Sequence, residues 1–161
     1  MTVTGSTIKN EVNVTANANG ANVWADGILI DAKSEGGDVT RSVTITNSTV
    51  ECTGTVTASS QDNASSIGVQ HTKTVKKSEL TVTGVTSSIK AKTTGMSMMG
   101  SNSTVTVEQG ATVEAGKYVF MSGKESSNNT LNVTGATVKG WGVVSLLGNS
   151  LTANFTDATI K

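Results

Sequence analysis

The chain of 161 residues has no proline, one cysteine, one histidine and only 3% aromatic residues. Each shortage removes a class of protein. Cys52 has no second cysteine to bridge to, which excludes a disulfide-stapled fold, and it reads as a small buried residue. His71 cannot build a His-rich metal site, so no metal and no cofactor is expected. No stretch approaches the ~18 apolar residues of a membrane-spanning helix, and the first twenty residues lack a signal-peptide apolar run, so no membrane insertion by this segment is expected. Lys plus Arg number 12 and Asp plus Glu number 12, so zero net charge gives no electrostatic claim on nucleic acid.

Hydrophobic residues are also scarce, at 35%, against the usual ~45–50% apolar share. Threonine, serine, asparagine and 17 glycines take their place. Disordered chains favour Pro, Glu, Lys and Gln, whereas Thr and Val favour strands. The composition therefore implies β-structure with much surface and a thin core. Seven Asn-x-Ser/Thr sequons start at Asn13, Asn47, Asn63, Asn102, Asn128, Asn132 and Asn154. The abundance of Asn, Ser and Thr accounts for most of them, so they say little about glycosylation.

What the chain does contain is a repeat. Val3 to Ile8 (VTGSTI), Ile45 to Val50 (ITNSTV), Val82 to Ile89 (VTGVTSSI), Val107 to Val113 (VEQGATV), Val133 to Val138 (VTGATV) and Phe155 to Ile160 (FTDATI) share one pattern. It reads apolar, Thr, turn residue, small residue, Thr, apolar. The anchors are separated by 42, 37, 25, 26 and 22 residues, as stacked coils with loops of variable length would be. Before each anchor, apolar residues alternate with Thr, Ser or Asn, as in Val43 and Ile45 or Leu131 and Val133, which is a half-buried strand.

After the motif a second short strand carries one charge per repeat: Lys9, Glu51, Lys90, Glu114 and Lys139. The alternation of sign has meaning only if successive repeats are neighbouring strands, where opposite charges attract by ~0.2–1 kcal/mol per pair. A third strand follows, with Ile28 and Ile30, Ile67 and Val69, Met96 and Met98, Val119 and Met121, and Val144 and Leu146 at a spacing of two, read as facing inward. That reading sends Leu29, Tyr118, Phe120, Trp141 and Val143 outward. The first two repeats hold an extra strand-like piece at Val12–Thr15 and Thr55–Thr57, which suggests a side sheet at one end.

Three short parallel strands per repeat, joined by turns, make an all-β, single-domain parallel β-helix of about five to six coils over residues 1–161, roughly 25 Å long at ~4.8 Å per coil. These repeats resemble the right-handed parallel β-helices of the pectate-lyase-like superfamily. Their Thr/Asn/Gly/Val bias is similar to bacterial surface adhesins and autotransporter passenger regions. The resemblance implies the right hand of the helix and a secreted or cell-surface bacterial setting. The chain starts within a strand and stops directly after one, so a segment of a longer repeat protein is expected, or ends that pair with other copies.

Three functions are weighed. A polysaccharide lyase or glycoside hydrolase needs clustered acids, and Asp26, Asp31, Asp38 and the only arginine, Arg41, are the residues to inspect. An ice-binding face is suggested by paired threonines flanking the anchors: Thr2 and Thr4, Thr44 and Thr46, Thr81 and Thr83, Thr106, Thr134 and Thr156, with Glu108, Asn132 and Asn154 interrupting. A non-catalytic, adhesin-like stalk or binding surface is the main expectation. Its site would be the outward residues Tyr118, Phe120, Trp141 and Val143, and its partner a glycan or protein ligand.

Overall fold

The Gly, Asn or Asp in the middle of the repeated motif marks a corner in the backbone. Gly5, Asn47, Gly84, Gly135 and Asp157 all lie at positive φ, and in the fourth repeat Gln109 and Gly110 share that role. Glycine adopts this left-handed region without cost, and Asn and Asp tolerate it better than other residues. The small residue beyond the corner is buried in the interior repeats, at Ser48, Ser87, Ala111 and Ala136. A larger side chain has no room there, which explains the second fixed position of the motif.

The computed structural model describes residues 1–16, 23–31, 40–58 and 64–161. The first coil comprises β1 (Thr2–Thr4), β2 (Thr7–Asn10), β3 (Val14–Thr15) and β4 (Val23–Ile30), and the second β5 (Arg41–Thr46), β6 (Thr49–Cys52), β7 (Val56–Thr57) and β8 (Ala64–His71). The third has β9 (Ser78–Thr83), β10 (Ser88–Ala91) and β11 (Thr94–Met98), and the fourth β12 (Thr104–Glu108), β13 (Thr112–Ala115) and β14 (Tyr118–Ser122). The fifth has β15 (Asn129–Thr134), β16 (Thr137–Lys139) and β17 (Gly142–Leu146), and β18 (Leu151–Thr156) and β19 (Thr159–Ile160) begin a sixth.

Equivalent strands stack in parallel into three long sheets: a first sheet β1-β5-β9-β12-β15-β18, a second β2-β6-β10-β13-β16-β19 and a third β4-β8-β11-β14-β17. The described residues contain no helix, and the chain is an all-β parallel β-helix, as its repeat implied. The anchors of the motif fall in one inner column, with Val3 opposite Ile45, Ile45 opposite Val82 and Val133 opposite Phe155. One core runs the length of the coils, from Val3 and Ile28 through Leu80 and Met96 to Leu131 and Val138. Cys52 is free and buried in its wall, its thiol donating to the Ala25 carbonyl at 3.1 Å.

The charged column is real. Lys9, Glu51, Lys90, Glu114 and Lys139 are successive partners across the second sheet. Lys9 meets Glu51 at 3.2 Å and Lys139 meets Glu114 at 2.9 Å. The hydrogen bond from Lys139 holds the Glu114 carboxyl below its ordinary range, and the charge of Lys90 adds to it.

The third sheet departs from simple alternation, and this corrects four expectations. Val119 and Phe120 are both fully buried, although adjacent in the strand, while Tyr118 and Met121 on either side are half-exposed. The strand bends between them, so that two consecutive side chains enter the core. Phe120, expected outside, is therefore a core residue at 0% exposure, in line with Met96 and Val144. Val143, also expected outside, is half-buried and packs on the core. Met121, expected inside, is half-exposed, and Ile67, also expected inside, falls in the outward column of Asp26, Thr94 and Tyr118. Three earlier coils carry Gly27, Gly68 and Gly95 at the position of Val119, where the interior is narrow: a Cβ on Gly68 would stand 2.4 Å from the Ile89 side chain and 2.6 Å from the Gly95 carbonyl oxygen.

Candidate binding groove

The first two coils are longer than the rest, and the extra length forms a side sheet in which β3 pairs with β7, Val14 opposite Val56 and Thr15 opposite Thr57. This two-stranded sheet packs against β4 and β8 of the third sheet. From the third coil onward no such strand exists, because β10 passes to β11 through Lys92 and Thr93 alone. The side sheet therefore ends as a step on the outer surface of the β-helix.

The step encloses a groove of about 750 Å³. Its wall is Thr55, Val56, Thr57 and Ala58, and its floor includes Thr94, Tyr118, Met121, Ser145 and Leu147 from the third to fifth coils. Lys117 also lines it, and among the described residues no Asp or Glu does. A second ammonium stands at the wall, where Lys92 Nζ donates to Thr55 Oγ1 at 2.6 Å.

The aromatic edge of the floor is set by glycine. Gly142 is in register with Tyr118, and a Cβ there would stand 3.1 Å from Tyr118 Cδ1, so the tyrosine ring lies across bare backbone. Trp141, at 79% exposure, meets that ring edge-on with centroids 6.1 Å apart and planes at 62°. Lys117 Nζ lies 5.3 Å from the Tyr118 centroid, within range of a cation–π attraction. Of the four outward residues expected to form a binding site, the fold brings Tyr118 and Trp141 together and withdraws Phe120 and Val143. Sequence reading missed the wall, Lys117 and Met121; the extra strand piece in the first two repeats was the signal for the wall.

The acids singled out for catalysis are placed differently. Asp26 lies in β4, partnered with Ile67, and burial pushes its carboxyl up to about 6. Asp31 follows the end of β4, five residues on, about 16 Å along an extended strand. The Asp31 carboxylate accepts from Thr72 Oγ1 at 2.6 Å and Thr74 Oγ1 at 2.7 Å. Arg41 opens β5 in the first sheet, partnered with Ser78. Asp38 lies outside the described residues.

The paired threonines form two outward columns on the first sheet. Thr2, Thr44, Thr81 and Thr106 are successive partners, continued by Asn132 and Asn154. Thr4, Thr46 and Thr83 are likewise in register, followed by Glu108, Thr134 and Thr156. Asn154 Nδ2 donates to Asn132 Oδ1 at 2.9 Å, so the interruption is a side-chain amide ladder.

Among the described residues no group of three or more His, Cys, Asp or Glu is arranged to hold a metal ion. No protein family, no curated protein and no solved structure matches this chain.

Proposed function

We propose that this chain is a non-catalytic β-helical segment of a bacterial secreted or surface-displayed protein, an adhesin-like stalk that carries a ligand-binding groove for a glycan or a protein. The observation that supports this reading is the step groove with the Tyr118–Trp141 pair at its edge, an exposed amphipathic platform beside a concave surface. The architecture fits the role. Stacked coils make a rod whose inner face is uniform and whose outer face can vary without disturbing the core. Membership of the pectate-lyase-like superfamily, with its right-handed coils, belongs to the same proposal.

Immobilised protein is screened against an oligosaccharide array and a panel of extended peptides, with Tyr118→Ala and Trp141→Ala alongside. Binding without cleavage that drops about tenfold or more in either variant is the expected result. Release of reducing-end or unsaturated sugars would replace this reading with that of a polysaccharide-processing enzyme, with Asp26, Asp31, Asp38 and Arg41 as the residues to substitute. Ligand binding indifferent to both aromatic residues would remove the groove from the proposal.

A further inference from the structure

The wall of the groove is an open strand edge. Val14 N–H donates to the Thr55 carbonyl and Ala16 N–H to the Thr57 carbonyl, each at 2.9 Å, and Thr55 N–H donates to Asn13 Oδ1 at 2.7 Å. Thr55 and Thr57 thus spend their backbone groups on the first coil. In a parallel strand successive residues direct their N–H and C=O to opposite sides. Val56, between them, points its N–H and C=O the other way, across the groove, and β7 has no strand partner on that side among the described residues.

Such an edge is a template for another strand. Resting on the reading of the groove as a binding site, we infer that its occupant is an extended acidic peptide of a partner protein. This peptide adds to β7 as the third strand of the side sheet, at the level where the third coil lacks one. Three observations favour a peptide over a sugar. The N–H and C=O of Val56, without a strand partner among the described residues, match a backbone ladder, which a sugar chain does not repeat. The floor offers Tyr118, Met121 and Leu147 to alternate side chains of an overlying strand. Lys92 and Lys117 flank the track and no carboxylate lines it among the described residues, so the complementary strand carries Glu or Asp.

The probe is a fluorescein-labelled hexapeptide alternating valine and glutamate, read by fluorescence anisotropy against the whole chain. Val56→Pro deletes the backbone donor of β7 that faces the groove and leaves the bonds to β3 intact, since proline is tolerated on an edge strand. The expected result is saturable binding that weakens about tenfold or more in Val56→Pro and in Lys117→Glu, and is lost when lysine replaces glutamate in the peptide. Two N-methylated peptides test the ladder on unaltered protein. Methylating one alternate set of amides abolishes binding and methylating the other set does not. Equal effects of the two sets, or displacement of the peptide by a neutral or carboxylated trisaccharide that binds Val56→Pro normally, overturns the peptide inference and leaves the groove as a glycan site. Binding of neither peptide nor trisaccharide overturns both the inference and the groove reading.

Discussion

The first and third sheets are built from the same coils, yet their outer faces differ in kind. On the first sheet the outward positions repeat from coil to coil as Thr, with Glu108, Asn132 and Asn154 as the exceptions in the two central columns. On the third sheet the outward column through Tyr118 reads Asp26, Ile67, Thr94, Tyr118 and Gly142, with no repeat at all. The difference follows from how each strand enters its corner. The first sheet ends at a left-handed residue followed by a buried small residue, which locks the parity of every strand. The third sheet bends in mid-strand around Val119 and Phe120, so parity changes within it. A face held by strict alternation stays uniform, while a face that bends can collect unlike side chains and a groove.

The bend can be tested by its packing. Phe120→Ala is expected to cost about 3–5 kcal/mol in urea unfolding, as for a large ring removed from a packed core. Phe155→Ala, at the last position of the first sheet's inner column and 39% exposed, is expected to cost about 1–2 kcal/mol. If Phe120 followed simple alternation and pointed outward, the order of the two effects would reverse.

Acid sensitivity separates the inside of the third sheet from its outside. His71 is fully buried with neither ring nitrogen hydrogen-bonded, and burial pushes its value down from 6.5 to about 4. Because the unfolded state binds the proton more readily, stability is full above pH 6.5 and falls as pH drops toward 4, by about 3 kcal/mol. Asp26 works in the opposite direction. Its value is raised from 3.8 to about 6, so the folded state binds the proton more readily and stability is regained as pH drops from 6 to 3.8. The two oppose each other between pH 4 and 6. Asp26→Asn should therefore unmask a loss of stability on acidification, and His71→Gln should leave a gain, both measured by unfolding at a series of pH values. Parallel pH profiles for both variants would sink this account.

The second sheet offers a smaller effect. Glu114→Lys places three lysines side by side, Lys90, the new residue and Lys139, and should cost up to about 1 kcal/mol at low salt, shrinking as salt is added. A cost unchanged in high salt would mean that the column acts through packing and not charge. The smallest effect belongs to the first sheet. With Glu108, Asn132 and Asn154 breaking its Thr columns, the protein is expected to show no thermal hysteresis beyond that of an unrelated protein at equal concentration. Measurable hysteresis lost on Thr81→Tyr would assign that face to ice.

The legibility of each part tracks the same physics. The Gly, Asn or Asp of the motif, the small residue after it and the flanking Thr were readable because each serves a local demand: positive φ, a tight corner, an outward strand position. The charge column was readable because neighbours in a parallel stack differ by one whole repeat. Phe120 and Val143 were misplaced because a bend in a strand leaves no mark in a periodic pattern, and the glycines that accompany it in earlier coils give way to valine in the fourth and fifth.

The sequence by itself determined the coil, its three strands, the corner between the first and second sheets and the partners across those two sheets, since all of these repeat and every repeat must satisfy the same backbone. Only the tertiary structure decided the register of the third sheet, which of its side chains face outward, and that the edge of β7 lies opposite Tyr118 and Lys117. Those depend on how one coil's interior volume is filled and on which strand is missing above its neighbour, and neither quantity is written in any single repeat.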